Sequence, residues 1–321
     1  MSAPCSVKLF EHLSSLLHTQ EFQETHRQCP TDFTRQRVLG FTDLVIFQLQ
    51  GLVLSFNVEI HYSLDLLPSS KSYSKPAFSQ TRQKLKHTAF MALNQQLIQD
   101  YYTSKSGIDL WKNKFLRLAV DGSLIQLPES QNLLADFSRW KNHTQKGMIM
   151  GRAGIIYEVC NRMILKASLV NYAIGERSLF HQQYEQLLEN AWFSNFSLLF
   201  LMDRGYPCFE FMKKLDLQHH AFVIRCKASF CRAMKQVVQE NSAEEMIHLT
   251  PRAWDKKGRA KRSIYTEGID LKVVRILLPS GKYEYLLTNT AFTLQQLSEL
   301  YQLRWSVETC YSILKEIMQL V

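Results

Sequence analysis

The sequence predicts an α/β fold preceded by a helical region, on three observations. Residues 1 to about 105 carry apolar residues at helical spacing, and from Phe115 the period changes to short strand-like runs. Two of those runs each hand over to an aspartate, Asp121 and Asp203. A last stretch, from Leu297 to Met318, returns to the helical period.

In the first region Phe10, Leu13, Leu16 and Leu17 give a short helix. Thr42 is a plausible N-cap for a helix through Leu44, Val45, Phe47, Leu49 and Leu52. Just before it lies a basic arm, Phe33-Thr-Arg35-Gln-Arg37. Then Ser74 offers a cap and Pro76 fits a first turn, with Phe78, Leu85, Phe90 and Leu93 as one apolar face. The other face carries Ser79, Gln80, Arg82, Gln83, Lys84 and Lys86, which suits either an ordinary surface helix or contact with phosphates and base edges.

Phe115 to Pro128 reads as a strand that presents Asp121 at its edge, or as two strands joined by an Asp-Gly turn. Asp136 to Lys146 is polar and loop-like. Strands follow at about Gly151–Val159 and Met163–Asn171, and Gly175-Glu176-Arg177 opens a helix to about Leu188. The strand Ser197–Met202 delivers Asp203 at a β-to-α junction, where open α/β sheets place their ligands. A helix from Phe209 to Leu217 leads into the strand Ala221–Cys226. Residues 227 to 290 alternate short strands with basic loops, notably Lys256 to Arg262, and Pro279-Ser-Gly281 suits a hairpin turn.

The final stretch reads as one helix, with Leu297, Leu300, Leu303, Val307, Leu314 and Met318 as its apolar stripe. At about 100° per residue, Tyr301, Arg304, Glu308 and Lys315 fall within roughly 60° of one another. That face is either solvated, with an Arg–Glu pair four residues apart, or a place where a carboxylate holds a metal and cations meet phosphate. Trp305 beside it suits stacking on an unpaired base or half-burial in the core.

Composition narrows the classes. A chain of 321 residues with 46% apolar content can build one large domain or two smaller ones. A net charge of +9 favours a polyanionic partner, nucleic acid before an anionic membrane surface. Seven scattered cysteines without a C-x-x-C pair suit reduced thiols in a cytosolic setting rather than a zinc site or disulfide framework. No signal-peptide core precedes the chain's first charges, and the longest apolar run, Leu198–Met202, is too short to span a bilayer. Asp121, Asp203 and Glu308 together would suit hard cations, since phosphodiester chemistry uses two of them about 3.5–4 Å apart.

Asp121-Gly122-Ser123, Asp203-Arg204-Gly205-Tyr206 and the spacing Tyr301-x-x-Arg304-x-x-x-Glu308-x-x-x-x-x-x-Lys315 resemble the DDE transposases of the insertion-sequence-four type, whose hallmark is that Tyr-Arg-Glu-Lys spacing. Phe33-Thr-Arg35, Ala77-Phe78-Ser79-Gln80-x-Arg82, Gly175-Glu176-Arg177 and Leu287-Thr288-Asn289 extend the likeness over roughly residues 30 to 318. The resemblance implies an RNase H-like core over 106–226, a β-rich insertion over 227–290, a core helix over 291–321 and a helical DNA-binding region over 1–105. It implies cut-and-paste transposition by a bacterial, cytoplasmic, nucleoid-associated enzyme. Asp121, Asp203 and Glu308 would hold two Mg²⁺ ions, with Mn²⁺ able to substitute. Tyr301, Arg304, Lys315, Arg204, Arg82 and Lys84 would contact phosphates, and Trp305 a flipped base. The implied partners are double-stranded DNA, as terminal inverted repeats and target, and a second copy of the chain when on DNA. Family members continue some tens of residues past the Lys, whereas Val321 ends this chain six residues after Lys315. The alternative expectation is therefore a truncated, non-catalytic DNA-binding protein or transposition inhibitor.

Overall fold

The computed structural model describes residues 5–35, 39–50, 74–104, 107–140, 147–251, 253–254, 260–261, 263–278 and 280–318. Arg37, Leu52, Lys256 to Arg259, Arg262 and Pro279 lie outside them. The described chain divides into two compact units, Met1–Ile108 with Ser312–Leu320, and Asp109–Tyr311.

The first unit contains helices α1 (Cys5–Leu17), α2 (Gln20–His26), α3 (Phe41–Leu49), α4 (Lys75–Arg82) and α5 (Thr88–Thr103). Its core gathers Leu17, Phe22, Phe41, Leu44, Phe47, Phe78, Ala89 and Leu93. Phe10, on α1, is 71% exposed. Helix α3 starts two residues earlier than a Thr42 cap would allow, with Gly40 as its cap, because Asp43 accepts from the Gly40 N–H at 3.2 Å. Ser74 does cap α4, accepting from Ala77 N–H.

The single helix expected from Phe78 to Leu93 is two. Its middle leaves the helical ladder to pair with another segment: Gln28 N–H donates to Lys84 O and Lys86 N–H to His26 O, both at 2.8 Å. That tertiary pairing competes with the i→i+4 ladder and wins at Lys84–Lys86. Arg82 is exposed at the end of α4, and Lys84 is half-buried in the turn. Arg35, Thr81 and Lys84 share a recess of about 310 Å³ with Thr31, Asp32 and Thr34.

The second unit is a mixed α/β structure around one large sheet. Its elements are β1 (Phe115–Gln126), α6 (Gln131–Asp136), β2 (Arg139–Trp140), β3 (Met148–Glu158), β4 (Met163–Asn171), α7 (Glu176–Leu188), β5 (Ser197–Met202), α8 (Phe209–Leu217), β6 (Ala221–Cys226), α9 (Arg232–Glu240), β7 (Glu244–Leu249), β8 (Ala253–Trp254), β9 (Ala260–Lys261), β10 (Ile269–Leu277), β11 (Tyr283–Thr288) and α10 (Leu294–Gln302), followed by α11 (Trp305–Met318), which runs into the residues of the first unit. The described strands form the order β2-β3-β1-β5-β6-β11-β10-β7, with β4 on β3 and β8-β9 apart. Strands β1, β5 and β6 are parallel to their neighbours in that set, and the other pairings are antiparallel. Such a centre needs both faces covered, and its strands read as continuous apolar runs for that reason.

One correction to the expected layout follows: the Asp136–Lys146 stretch is not wholly loop, since α6 ends at Asp136 and Arg139–Trp140 pairs with β3. Within 227–290, β11 pairs with β6 and carries β10 and β7 onto the same sheet. Gly281 closes the β10–β11 hairpin at φ +74°, a conformation glycine adopts without strain.

Helix α7 packs on β3 through a glycine. A Cβ on Gly154 would stand 2.6 Å from Leu179 Cδ2, and the Gly154 carbonyl accepts from buried Gln183 at 2.7 Å. Gly154→Ala is expected to cost about 1–3 kcal/mol by overpacking, measurable as a lower urea midpoint with an unchanged slope.

Candidate active site

Strand register builds the site. β1 and β5 run together through Val120↔Met202, and β5 and β6 through Met202↔Ile224. The next residue on each strand is charged: Asp121, Asp203 and Arg225. Side chains alternate along a strand, so these three share a face with Ala119, Leu201 and Val223. Leu201 and Val223 belong to the apolar cluster with Leu297, Leu300 and Tyr301 of α10. The charged row is the polar end of that apolar layer. Neighbouring strands lie about 4.8 Å apart, so Asp121 and Asp203 each follow a paired position on adjoining strands.

Strand β11 extends the row. Leu286 pairs with Arg225, and two residues before it Glu284 places Oε1 2.5 Å from Arg225 Nε. Arg225 Nη1 lies 3.7 Å from Asp203 Oδ1. The guanidinium therefore links a half-buried aspartate to a glutamate that is only 9% exposed.

Asp121 was expected at a strand end, yet β1 stays paired with β3 from Asp121↔Ile155 on to Gln126↔Met150. Only its β5 neighbour stops there. Chain β5 turns away because Asp203 O accepts from Tyr206 N–H at 3.0 Å, and buried Tyr206 anchors the turn against Phe180. In that turn Arg204 and Gly205 are exposed.

The expected single C-terminal helix is interrupted at Leu303–Arg304. Leu303 keeps helical dihedrals (φ −63°, ψ −21°), but Arg304 N–H bonds to Tyr301 O and Ser306 N–H to Leu303 O, both three residues back. This tightened turn ends α10 and starts α11. Tyr301, 5% exposed, donates its hydroxyl to Asp203 Oδ1 at 3.4 Å. Arg304, 3% exposed, donates through Nη2 to Glu308 Oε1 at 2.6 Å, and its buried Nε has no protein partner among the described residues. One turn beyond Glu308, the Tyr311 hydroxyl lies 3.1 Å from Asp121 O and 3.2 Å from Ala153 O, tying α11 to β1 and β3. Trp305 is 58% exposed rather than half-buried in the core, with the Arg304 guanidinium 5.4 Å from its ring centre. Lys315 belongs with the first unit.

The electrostatics follow from burial. Removal from water raises the Asp121 pKa to about 6; its own hydrogen bond from Gly122 N–H and the nearby Arg304 oppose the rise, while Glu176 and Glu308 add to it. Burial likewise raises Glu284, against the pull of Arg225. Tyr301 is raised chiefly by burial, so it remains a hydroxyl donor at neutral pH.

These residues test the fit of a hard divalent cation. Among the described residues no group of three or more ligating side chains is close enough to cage a metal. Mg²⁺ does not need a cage: it keeps several waters and binds through one or two carboxylates plus substrate phosphates. Two carboxylates that follow paired positions on adjoining strands suit that mode.

Arg225, Glu284, Tyr311 and Glu176 were not singled out from the sequence as site residues. Arg225 had a signal, a lone cation closing an apolar strand as Asp203 does; Tyr311 had none.

The arrangement defines an α/β protein with an acidic, arginine-braced cluster beside the parallel strands of its sheet. A family model described as "Transposase DDE domain" matches residues 112–320, and the chain belongs to that transposase family. Asp121, Glu176, Asp203, Arg225, Arg304 and Glu308 all lie inside the match. Among solved structures, a cryo-EM structure of piggyBac transposase in a synaptic complex with hairpin DNA is similar at 11% identity and TM-score 0.48, covering 97% of this chain and 67% of that one. No curated protein matches the chain. No described helix is long and apolar enough to cross a membrane.

Proposed function

We propose that the protein cuts DNA at the terminal inverted repeats of a transposable element and joins the freed 3′ ends to target DNA, with a divalent cation, on an RNase H-like core. The observation that supports this reading is the parallel register Val120↔Met202, whose next residues in the chain are Asp121 and Asp203, within the family match. Asp121 and Asp203 would hold the cation, Mg²⁺ or Mn²⁺, with Glu308 as the third carboxylate of the set. When bound, the cation supplies activation of the attacking oxygen and charge stabilisation at the leaving one.

The chain's own residues do the rest. Tyr301 orients Asp203 by its hydroxyl and is available to a phosphate beside it. Arg304 holds Glu308 and lends positive charge to the whole cluster. Arg204 and Trp305 would meet the backbone and an unstacked base, a role their exposure supports. Arg82 and Lys84, with Lys315, are assigned to phosphates along the duplex. Two copies would act together, one at each DNA end.

The test is end cleavage. Purified protein is incubated with labelled DNA carrying the element's own terminal repeats, with Mg²⁺ or Mn²⁺ and against an EDTA control. Metal-dependent nicking at the repeat boundary is the expected result. Binding without nicking would favour a non-catalytic, transposase-derived DNA-binding protein, and absence of binding would overturn both readings.

A further inference from the structure

Glu176, the first residue of α7, reaches the site from a different element than any of the three carboxylates above. Its side chain lies across Gly122, the residue after Asp121, so closely that a Cβ there would stand 2.7 Å from Glu176 Cγ and 3.3 Å from Cδ. Glycine at 122 is what admits it. Oε1 accepts from Arg152 Nη1 at 2.7 Å, and Arg152 Nη2 is itself held by the Tyr172 carbonyl at 3.3 Å. One oxygen is thereby clamped by a largely buried guanidinium.

The other oxygen is turned towards Gly205, two residues after Asp203, and lies 3.9 Å from where a Cβ on Gly205 would stand. No hydrogen bond reaches Oε2 from any described residue, and 39% of the side chain is exposed. The carboxylate thus lies between the segments that follow Asp121 and Asp203, with one oxygen fixed and the other without a hydrogen bond among the described residues. Its charge is felt at Asp121 and at Tyr206.

We propose that Glu176 is a fourth carboxylate of the cation site, accepting hydrogen bonds through Oε2 from the waters of a divalent cation held by Asp121 and Asp203. This rests on the functional reading above. A hard cation that keeps its waters needs acceptors for them, and a carboxylate pinned by arginine offers one at a fixed place. Glu176 is a positioning residue in this scheme, since it acts through metal-bound water. A purely structural Glu176–Arg152 pair, anchoring α7 to β3, would leave metal affinity untouched.

The experiment is Mn²⁺ titration calorimetry on the full chain, without DNA, comparing the parent with Glu176→Gln and Asp203→Asn. Loss of a residue in a metal's outer shell typically costs about 10–100-fold in affinity. Glu176→Gln is expected to weaken Mn²⁺ about tenfold, and Asp203→Asn more. Parental affinity in Glu176→Gln, with loss in Asp203→Asn, overturns this proposal and leaves the metal reading standing. Parental affinity in Asp203→Asn overturns the metal reading and this proposal with it. Should Glu176→Gln lose its cooperative melt, Glu176→Asp decides the question. It keeps the charge but withdraws the carboxylate by one methylene, so a several-fold loss supports the proposal and parental affinity overturns it.

Discussion

Asp203→Asn is expected to lower metal-dependent DNA cleavage by more than roughly a hundredfold, since even outer-shell partners of a metal are worth 10–100-fold. The substitution is nearly isosteric. Its remaining carbonyl oxygen still accepts the Tyr301 hydroxyl that now meets Oδ1 at 3.4 Å. What it removes is charge. The Asp203–Arg225 pair is 3.7 Å apart with both side chains about one-third exposed, and ion pairs of that kind are worth about 0–1 kcal/mol. Stability should therefore barely move, and the lost rate cannot be assigned to unfolding. The measurement is the initial rate of end nicking beside a thermal melt of the same sample. A variant that cuts within threefold of the parent would show that Asp203 is no ligand.

How much of this site was legible in the sequence depends on the range of the interaction that made each part. Asp121 and Asp203 were legible because each follows an apolar run whose burial is written into its own composition. Their register against each other, Val120↔Met202, was not, because it joins residues some eighty positions apart. The same holds for Arg225 and Glu284, which meet only because β11 lies on β6. The break between α10 and α11 escaped for a different reason. Leu303 stays in the helical well, so the apolar period runs on unbroken while only the hydrogen-bond partner changes from four residues back to three. Hydrophobic periodicity reports direction in space and is blind to that change. The break between α4 and α5 was hidden because its cause, pairing with Arg27 and its neighbours, lies in another part of the chain. Glu176 read as the opening of a helix, which it is. Its second position, against Gly122 and Gly205, depends on the packing of α7 across β1 and the turn after β5.

Asp121 gives the second large effect, and it has opposite signs for activity and stability. With limiting Mn²⁺, cleavage should fall about tenfold per unit as pH drops below about 6, because only the ionised carboxylate binds a cation. Raising Mn²⁺ should shift that limb to lower pH, as metal competes with the proton. Now consider the metal-free fold. The Asp121 pKa is raised from 3.8 to about 6, so the native state holds the proton more tightly than the unfolded chain. Its favourable contribution is complete below 3.8 and is lost as pH rises through about 6, above which the buried negative charge burdens the fold. Asp121→Asn, neutral at every pH, removes that burden. Discounted for partial exposure, the gain at pH 8 is about 1–2 kcal/mol, and it should vanish by about pH 4. Divalent cation should raise the melting temperature of the parent at pH 8 but not that of Asp121→Asn. A variant both inactive and more stable, with the difference growing from about pH 4 to about pH 6 and level above that, is the signature of a carboxylate kept in an unfavourable setting for the sake of a cation. If Asp121→Asn melts with the parent across the whole range, burial does not strain this carboxylate, and the pH limb of cleavage must come from another group.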